Sequence, residues 1–313
     1  MVLERADREA EALLLEARTT TRRIARTFAL ACRLLPRAIR DDVYRLYLVF
    51  RTLDDLVDNS EPGAEAAIAA VEAWCADGAV ATRETALLDD LATRHPLPRA
   101  ALRDFCLGMR SDLDAEPILT EEELERYCYR VAGTVGVVMA ALLGTTSPAA
   151  DRHAAALGKA MQRTNILRDI DEDSANGRVY LARETLERFG GRLDPGAREA
   201  LLRDQIARAD ALYDVGMAGV PLLRNGRFAI AAAAAMYREI LRQIEREGYG
   251  AQPGRAVVSG PRKLLVAARG RRITPMMPGP AVPVPTSPAA RTPRAPRASP
   301  VPPAGPASPG SPG

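Results

Sequence analysis

The chain has 313 residues and a formal net charge of +3, which Arg291, Arg294 and Arg297 near the C-terminus supply. The remainder is close to neutral and aromatic residues make up only 4%, so nucleic-acid binding is not expected. Charges occur throughout the N-terminal segment and interrupt every apolar stretch, so neither a signal peptide nor a membrane-spanning helix is expected. The four cysteines and two histidines match no zinc-binding spacing, and we expect a cytoplasmic protein with reduced thiols.

Residues 1–274 are predicted to be almost entirely helical. Ala, Leu, Arg and Glu dominate this region, apolar residues recur every three or four positions, and strand-like alternation is nearly absent. The region is long enough for one large core or at most two domains. The predicted helices span residues 4–33, 37–59, 64–77, 81–94, 98–115, 121–143, 148–172, 182–189, 195–219, 226–247 and 260–269.

Capping signals mark three of the predicted helix starts. Thr120, followed by Glu123, has the pattern of a capping box. Ser147 and Asp194 are each followed by a proline, which is the pattern of an N-cap and a first helical residue. Residues 176–182, with the sequence NGRVYLA, are expected to form a short extended connector.

The C-terminal segment, residues 275–313, has a different composition. Fourteen of the 24 prolines lie there among Ala, Ser, Gly and Val, and the segment contains no acidic residue. A segment of this kind buries too little apolar surface to offset the entropy lost on ordering. We therefore predict a disordered tail.

The first of two acidic motifs is FRTLDDLVDN, residues 50–59, which places Asp54, Asp55 and Asp58 on an otherwise apolar helix. Two carboxylates about 6 Å apart repel by roughly 3 kcal/mol at an effective dielectric constant near 20. On a solvated helix end the repulsion falls to a few tenths of a kcal/mol. The motif therefore indicates either an exposed helix end or a bound cation.

The second acidic motif, QRTNILRDIDED, covers residues 162–173. Asn165, Asp169 and Asp173 are spaced by four, so they lie on one helix face, and the first motif has two aspartates at the same spacing. Mg²⁺ prefers oxygen ligands and often links one or two carboxylates to substrate phosphates. Each motif alone is equally well explained by a solvated helix end. The two together, each with an arginine beside the acids, favour a phosphate site assisted by metal.

Six blocks, taken in order, resemble the phytoene synthase and squalene synthase family, the head-to-head prenyl synthases. The resemblance covers about residues 18 to 270. The blocks are RTFALA, YLVFRTLDDLVDN, YCYRVAGTVG, TNILRDIDEDSANGRVYL, MYREILRQIEREGY and RAVVSGPRKL. The resemblance implies an all-α fold, a single-domain helical bundle of the isoprenoid-synthase type around a central apolar cavity.

The resemblance also implies roles for individual residues. Mg²⁺, or Mn²⁺ in its place, would be held against substrate diphosphates by Asp54, Asp58, Asn165, Asp169 and Asp173. The four aspartates of this set and Tyr129 would be the catalytic residues. Substrate contacts would come from Thr27, Tyr47, Arg51, Asp55, Gly133, Gly136, Gln162, Arg168, Tyr237, Arg255 and Lys263.

Some of these roles have structural alternatives. Gly133 and Gly136 are as well explained by close packing of helices as by clearance for a substrate, and Tyr237 by a place in the core. The early block of the family usually has two serines near the diphosphate, whereas this chain has Ala25 and Thr27. Only one of the two hydroxyl groups is therefore kept.

The implied reaction belongs to isoprenoid and carotenoid biosynthesis. A prenyl diphosphate ionises to an allylic cation, a second prenyl chain attacks it, and the resulting cyclopropyl diphosphate rearranges. Two geranylgeranyl diphosphates giving phytoene are the main expectation. The alternative is two farnesyl diphosphates giving squalene, dehydrosqualene or presqualene diphosphate, with NADPH needed only for squalene. A remote alternative is a non-catalytic helical assembly factor, although relatives of that kind have lost the aspartates.

Basic residues lie near both ends of the helical region. They could attract anionic lipid at the inner face of a membrane. A solvated basic surface explains them equally well, and the oligomeric state is left open. The residues concerned are Arg18, Arg22, Arg23, Arg26, Arg262, Lys263, Arg269, Arg271 and Arg272.

Overall fold

The computed structural model describes the backbone of residues 2–269, and the side chains of residues 11–268 apart from that of Arg26. Over these residues the chain is helical and contains no β-strand, with a single isolated bridge between Thr145 and Leu223. No helix in this part of the chain is long and apolar enough to cross a membrane. The predicted disordered tail, 275–313, and Arg271 and Arg272 lie outside the described residues, as do the side chains of Arg26 and Arg269, so what was expected of these remains a prediction.

The helices follow one another with short connections. In chain order they are α1 Val2–Ile24, α2 Arg26–Cys32, α3 Arg37–Asp58, α4 Ala64–Asp77, α5 Arg83–Ala92, α6 Arg99–Leu113, α7 Glu121–Cys128, α8 Thr134–Leu143, α9 Ala150–Ala175, α10 Arg183–Arg188, α11 Glu199–Ala218, α12 Arg227–Arg246 and α13 Gly260–Arg269. A π-helical turn, Tyr129–Gly133, joins α7 to α8, and a 3₁₀ turn, Val220–Leu222, precedes α12. The all-helical prediction is confirmed for this region.

Two long predicted helices are interrupted. The first, expected over 4–33, is divided at Ala25, whose φ of −107° and ψ of 61° lie outside the helical region. The predicted helix 121–143 contains the π-helical turn Tyr129–Gly133. A π turn inserts an additional residue into the helix, so side chains before and after it no longer keep a common face.

The three capping signals have different outcomes. Thr120 forms the predicted capping box, because its hydroxyl accepts from the Glu123 amide at 3.1 Å and the Glu123 carboxylate accepts from the Thr120 amide at 3.1 Å. Ser147 accepts from the Ala149 amide at 3.2 Å, but the prediction that it caps α9 is wrong, because α9 begins at Ala150 with Ala149 at the N-cap position. The prediction for Asp194 is wrong: α11 begins only at Glu199, because the chain first turns through Gly196 at a φ of 81°.

α9 is the central helix, and α7, α8, α11 and α12 pack around it. Its contact with α8 and the π turn is exceptionally close. A Cβ atom placed on Gly136 would lie 2.3 Å from the carbonyl oxygen of Ala154, and one on Gly158 would lie 2.2 Å from that of Ala132. Glycine is therefore required where the two backbones touch, which supports close packing as a role for Gly136.

Candidate active site

A central cavity of about 390 Å³ lies within the bundle and has one polar end. α9 lines it from Ala150 to Asn165, a distance of about 22 Å at the rise of an α-helix. α3 contributes Tyr47, Phe50, Arg51 and Asp54 to the wall. Tyr237 acts on both Tyr47 of α3 and Arg168 of α9, and Arg178 lies near both Asp58 and Asp173, so the C-terminal halves of α3 and α9 meet at one end of the cavity. The other end is lined by residues such as Leu143, Ala150, Val220 and Leu223.

Seven of the predicted site residues line this cavity. They are Tyr47, Arg51, Asp54, Gly136, Gln162, Asn165 and Tyr237. The first acidic motif and the start of the second therefore face the same space. The remaining predicted residues lie outside the lining, and their surroundings decide what they can contribute.

At the first acidic motif, Arg51 pairs with both Asp54 and Asp55. Its Nη1 donates to Asp54 Oδ2 at 2.8 Å, and its Nη2 donates to Asp55. Burial raises the pKa of Asp54 to about 6, and the charge of Asp58 adds to the rise. The Asp54 side chain still keeps 43% of its surface accessible, because it faces the cavity. One arginine thus leaves the negative charge of this row incompletely balanced.

At the second acidic motif, Arg168 and Arg255 converge on Asp169. Arg168 donates through Nε and Nη2 at 2.8 and 2.6 Å, and Arg255 Nε lies 3.0 Å from Asp169 Oδ1. Burial raises the pKa of Asp173 to about 6, and the charges of Asp169 and Glu172 contribute. Asp173 is therefore the less balanced member of this row.

Arg178, in the connector after α9, links the two acidic rows. Its Nη1 lies 3.5 Å from Asp58 Oδ1, and its charge acts to lower the pKa of Asp173. Gly177 precedes it with a φ of 74°, a left-handed conformation that suits glycine. Sequence reasoning did not single out Arg178, although it lies in the NGRVYLA connector that was recognised.

A second unpredicted pair, Asp112 and Tyr127, lies beside the first row. The Tyr127 hydroxyl donates to Asp112 at 3.0 Å, and its ring stacks on Tyr180 with centroids 5.4 Å apart. Burial raises the pKa of Asp112 to about 7. The charges of Asp58 and Asp54 add to this rise, so Asp112 lies close enough to the first acidic row to interact with it electrostatically. The acidic residue four positions after Asp112, Glu116, does not share a helix face with it because α6 ends at Leu113, so no acidic stripe marks Asp112 in the sequence.

Tyr129 does not line the cavity. Its hydroxyl donates to Asp104 at 3.3 Å, and its ring packs beside Gly133, which is also outside the lining. The catalytic role expected for Tyr129 therefore has no support from the cavity geometry. Tyr127, two residues earlier, faces the acidic row instead.

Thr27, Lys263 and Tyr237 have different positions relative to the cavity lining. Thr27, which keeps the hydroxyl of the early block, is outside the lining, whereas Ala25 lines the cavity. Lys263, on α13, is half-buried and also outside the lining. Tyr237 lies close to Arg168: burial acts to lower the pKa of that guanidinium, but Asp169 and Tyr237 raise it overall.

The polar end fits a hard divalent cation. Its donors are carboxylate and amide oxygens, and the buried Asn165 Oδ1 has no hydrogen-bond partner among the described residues. Within the same part of the chain, no three His, Cys, Asp or Glu side chains come close enough to hold one ion. An ion bound here would therefore complete its ligand shell with phosphate oxygens and water, as Mg²⁺ commonly does.

An all-helical bundle around an apolar cavity with acidic rows near one end is the arrangement that the family resemblance predicts. The chain matches the squalene/phytoene synthase family model over residues 21–262, and it belongs to that family. It is 36% identical over 277 residues to the 15-cis-phytoene synthase of Synechococcus elongatus, covering 80% of this chain and 89% of that one. It is 40% identical over 237 residues to the phytoene synthase of Thermus thermophilus, covering 71% and 80%.

Solved structures agree with this assignment. A dehydrosqualene synthase in complex with a ligand superposes with a TM-score of 0.77 at 29% identity, covering 84% of this chain and 97% of that one. A squalene synthase from Alicyclobacillus acidocaldarius gives a TM-score of 0.68 at 27% identity, covering 77% and 96%. The predicted family and the isoprenoid-synthase type of fold are confirmed.

Proposed function

We propose that the chain is a prenyltransferase that condenses two geranylgeranyl diphosphates head to head and forms phytoene. The observation that carries the proposal is that Asp54 and Asn165, from two separate motifs, face the polar end of one apolar cavity. Relatives named phytoene synthase, 34–40% identical over most of the chain, support the C20 substrate. A second candidate uses two farnesyl diphosphates, because the similar solved structures are dehydrosqualene and squalene synthases.

The acidic rows would hold Mg²⁺ between the protein and the diphosphate groups. The residues proposed to hold it are Asp54, Asp58, Asn165, Asp169 and Asp173. Bound there, Mg²⁺ would supply Lewis-acid stabilisation of the departing diphosphate. The fit of these residues rests on their oxygen donors, on the unpartnered Asn165 Oδ1 and on the raised pKa of Asp54 and Asp173.

Arginines around the acidic rows would bind diphosphate oxygens. Arg51, Arg168 and Arg255 each pair with a carboxylate of the site, so their guanidinium groups already lie where the diphosphate is expected. A guanidinium can bind phosphate in a bidentate manner. We propose that these arginines keep the carboxylates oriented before substrate arrives and then share their hydrogen bonds with the diphosphate.

Asp112 and Tyr127 are proposed as positioning residues for Arg178. Asp112 accepts from Tyr127, and its charge acts on Arg178, whose guanidinium lies 3.5 Å from Asp58. The three groups therefore connect the buried tyrosine to the first acidic row. In this arrangement Arg178 would be held between the rows and could stabilise charge on a leaving diphosphate.

The apolar part of the cavity would hold the prenyl chains and keep water away from the allylic cation. Phe50 and Phe105 meet edge to face in its wall, with ring centroids 4.8 Å apart. Aromatic rings offer a favourable surface to a nearby cation. Small residues such as Ala140 and Ala150 line the end away from the acids, which leaves space for a long chain.

Membrane contact remains a proposal. Arg18 pairs with Asp41, and Arg262 pairs with Glu239. These pairs reduce the free positive charge that the sequence offers to anionic lipid.

The test is product analysis after incubation with Mg²⁺ and either geranylgeranyl or farnesyl diphosphate, with and without NADPH. We expect phytoene from the C20 substrate, independent of NADPH. Asp54→Ala and Asp169→Ala should each abolish product while the chain remains folded. Asp151→Asn, an exposed acid in the first turn of α9, is the matched control and should retain activity.

Each other outcome has a defined meaning. A hydrocarbon that forms only from farnesyl diphosphate would replace the first candidate by the second, and dependence on NADPH would identify squalene. No release of diphosphate from either substrate would contradict both candidates. Full activity of Asp54→Ala or Asp169→Ala would contradict the proposed metal site.

A further inference from the structure

A second cavity, which we call the arginine cavity, lies where α1 and the connection from α2 to α3 meet the first turns of α3. Its volume is about 520 Å³. Five arginines line it together with one acid and one tyrosine: Arg18, Arg22, Arg33, Arg37 and Arg40, with Asp41 and Tyr44. The proposed reaction uses none of these residues, so their convergence has no explanation in the central cavity.

Among the side chains that the structure describes, one of the five arginines has a carboxylate partner. Arg18 binds Asp41 through both carboxylate oxygens, with Nη2 at 2.7 and 2.8 Å. In the part of the chain that the structure describes, the other four arginines form no ion pair with a carboxylate. Four guanidinium groups without a described carboxylate partner give this cavity an excess of positive charge, which attracts anions.

The start of α3 adds positive potential to the same cavity. Arg37 lies in the first turn, where the structure shows no acidic residue and no side-chain cap. The N-terminus of a helix carries a partial positive charge, so an arginine there meets a like charge. The same features favour an anion, because helix N-termini and arginines both bind phosphate groups.

Three of the guanidinium groups act on one buried hydroxyl in the wall of the cavity, that of Tyr44. The residue is only 2% exposed and forms part of the wall. Burial raises the pKa of its hydroxyl, and the Cys32 thiol adds to the rise. The positive charges of Arg22, Arg40 and Arg33 act in the opposite direction, because all three lie near the same hydroxyl.

The arginine cavity is separate from the polar end of the central cavity. Arg40 precedes Asp54 by fourteen residues on the same helix, a distance of about 21 Å along the α3 axis. The two cavities share no lining residue. A diphosphate group held by the acidic rows therefore cannot reach these arginines.

We propose that the arginine cavity is a binding site for a phosphate-bearing anion with at least two negative charges. Such a group would neutralise Arg22, Arg33, Arg37 and Arg40 and would accept hydrogen bonds from them in bidentate geometry. Two sources offer this chemistry: a soluble polyphosphate, or the phosphate of an anionic lipid headgroup at a membrane surface. The site does not depend on the identity of the prenyl substrate.

The first arm of the test is calorimetric titration of the full chain with inorganic pyrophosphate in EDTA, so that metal-dependent binding does not contribute. Arg22→Gln and Arg40→Gln should each weaken binding by about tenfold, the effect of losing a charged hydrogen bond. Arg23→Gln is the matched control. Arg23 is exposed like Arg22 and shares the last turn of α1, but it does not line the cavity.

The second arm is co-sedimentation with phosphatidylcholine vesicles that contain or lack phosphatidylglycerol. If Arg22→Gln weakens pyrophosphate binding and Arg23→Gln does not, the result supports a site for a soluble ligand. The same pattern with anionic vesicles supports the site with a lipid headgroup.

Two results would overturn the proposal. One is that Arg22→Gln and Arg23→Gln weaken binding of the probe equally, which would indicate a general effect of surface charge. The other is a wild-type chain that binds neither probe, a result that stands even if a variant fails to fold. Turnover of prenyl diphosphates is not a readout, so failure of the proposed reaction would be seen separately.

Discussion

At one end of the central cavity, Arg51, Asp54 and Asn165 gather from two helices, whereas at the other end Leu143, Ala150 and Leu223 leave only apolar surface. The polar end concentrates charge that is incompletely balanced, since burial and neighbouring acids raise the pKa of Asp54 to about 6. The apolar end has small side chains and no charge. We propose that this contrast separates two tasks: the polar end binds and ionises a diphosphate, and the apolar end selects the length of the hydrocarbon chain.

The largest effect in this comparison is expected at Arg178, which links the acidic rows. Arg178→Gln removes the charge 3.5 Å from Asp58 and should lower kcat by between about tenfold and hundredfold, the range for losing a charged hydrogen bond. Steady-state kinetics with the prenyl substrate measures this. Arg188→Gln, an exposed arginine at the end of α10, is the control and should leave kcat unchanged. Equal kinetics for both variants would remove Arg178 from the site.

A smaller and more selective effect is expected at the apolar end. Ala140 lines the cavity and its neighbour Ala141 does not, so Ala140→Leu should fill space that a long chain needs. We expect the ratio of kcat/KM for the C20 and C15 diphosphates to fall by about tenfold, the usual scale for excess bulk in an apolar pocket. Ala141→Leu controls for the added volume. A similar fall in both variants, or none in Ala140→Leu, would argue against chain-length selection at this end.

The smallest effect that we expect is a dependence of the folding stability of the metal-free chain on pH. Asp54 and Asp173 have a pKa of about 6 in the folded chain against an ordinary 3.8, so the folded state binds their protons more tightly than the unfolded state does. Stability in EDTA should therefore rise as the pH falls from 7.5 to about 5.5. Acids whose pKa is lowered, such as Asp42 and Asp90, act only below about pH 4.

The measurement is the thermal unfolding midpoint Tm in EDTA across that range. The rise in Tm should be smaller in Asp54→Asn, which cannot take up the proton. Added Mg²⁺ should oppose the rise, since protonation and metal binding compete for the same carboxylates. A wild-type Tm that falls between pH 7.5 and 5.5 would contradict the raised pKa values.

The acidic rows could be predicted because their members are close in sequence. A spacing of four residues keeps Asn165, Asp169 and Asp173 on one face of α9 wherever that helix lies. The overall helical architecture followed in the same way from the periodicity of apolar residues. Local patterns of this kind do not depend on how the helices pack.

Other parts of the site depend on structural features that the spacing of residues in the sequence does not reveal. The π turn at Tyr129–Gly133 shifts the helix face, so Tyr129 is directed away from the cavity while Gly136 lines it. Arg178 follows Gly177, which has a φ of 74°, and lies 3.5 Å from Asp58 on α3, a residue far away in the sequence. Asp112 gains its raised pKa from tertiary burial. Each of these depends on contacts between distant segments, which the sequence pattern does not specify.

The central claim is that both acidic rows act on one Mg²⁺-bound diphosphate. The most direct measurement is calorimetric binding of inorganic pyrophosphate with and without Mg²⁺ to the wild-type chain, Asp54→Asn, Asp169→Asn and the control Asp151→Asn. The wild-type chain and the control should show additional binding that requires Mg²⁺, and each of the other two variants should lose it. If either Asp54→Asn or Asp169→Asn keeps this Mg²⁺-dependent binding at the wild-type level, the two rows do not share a ligand and the account is contradicted.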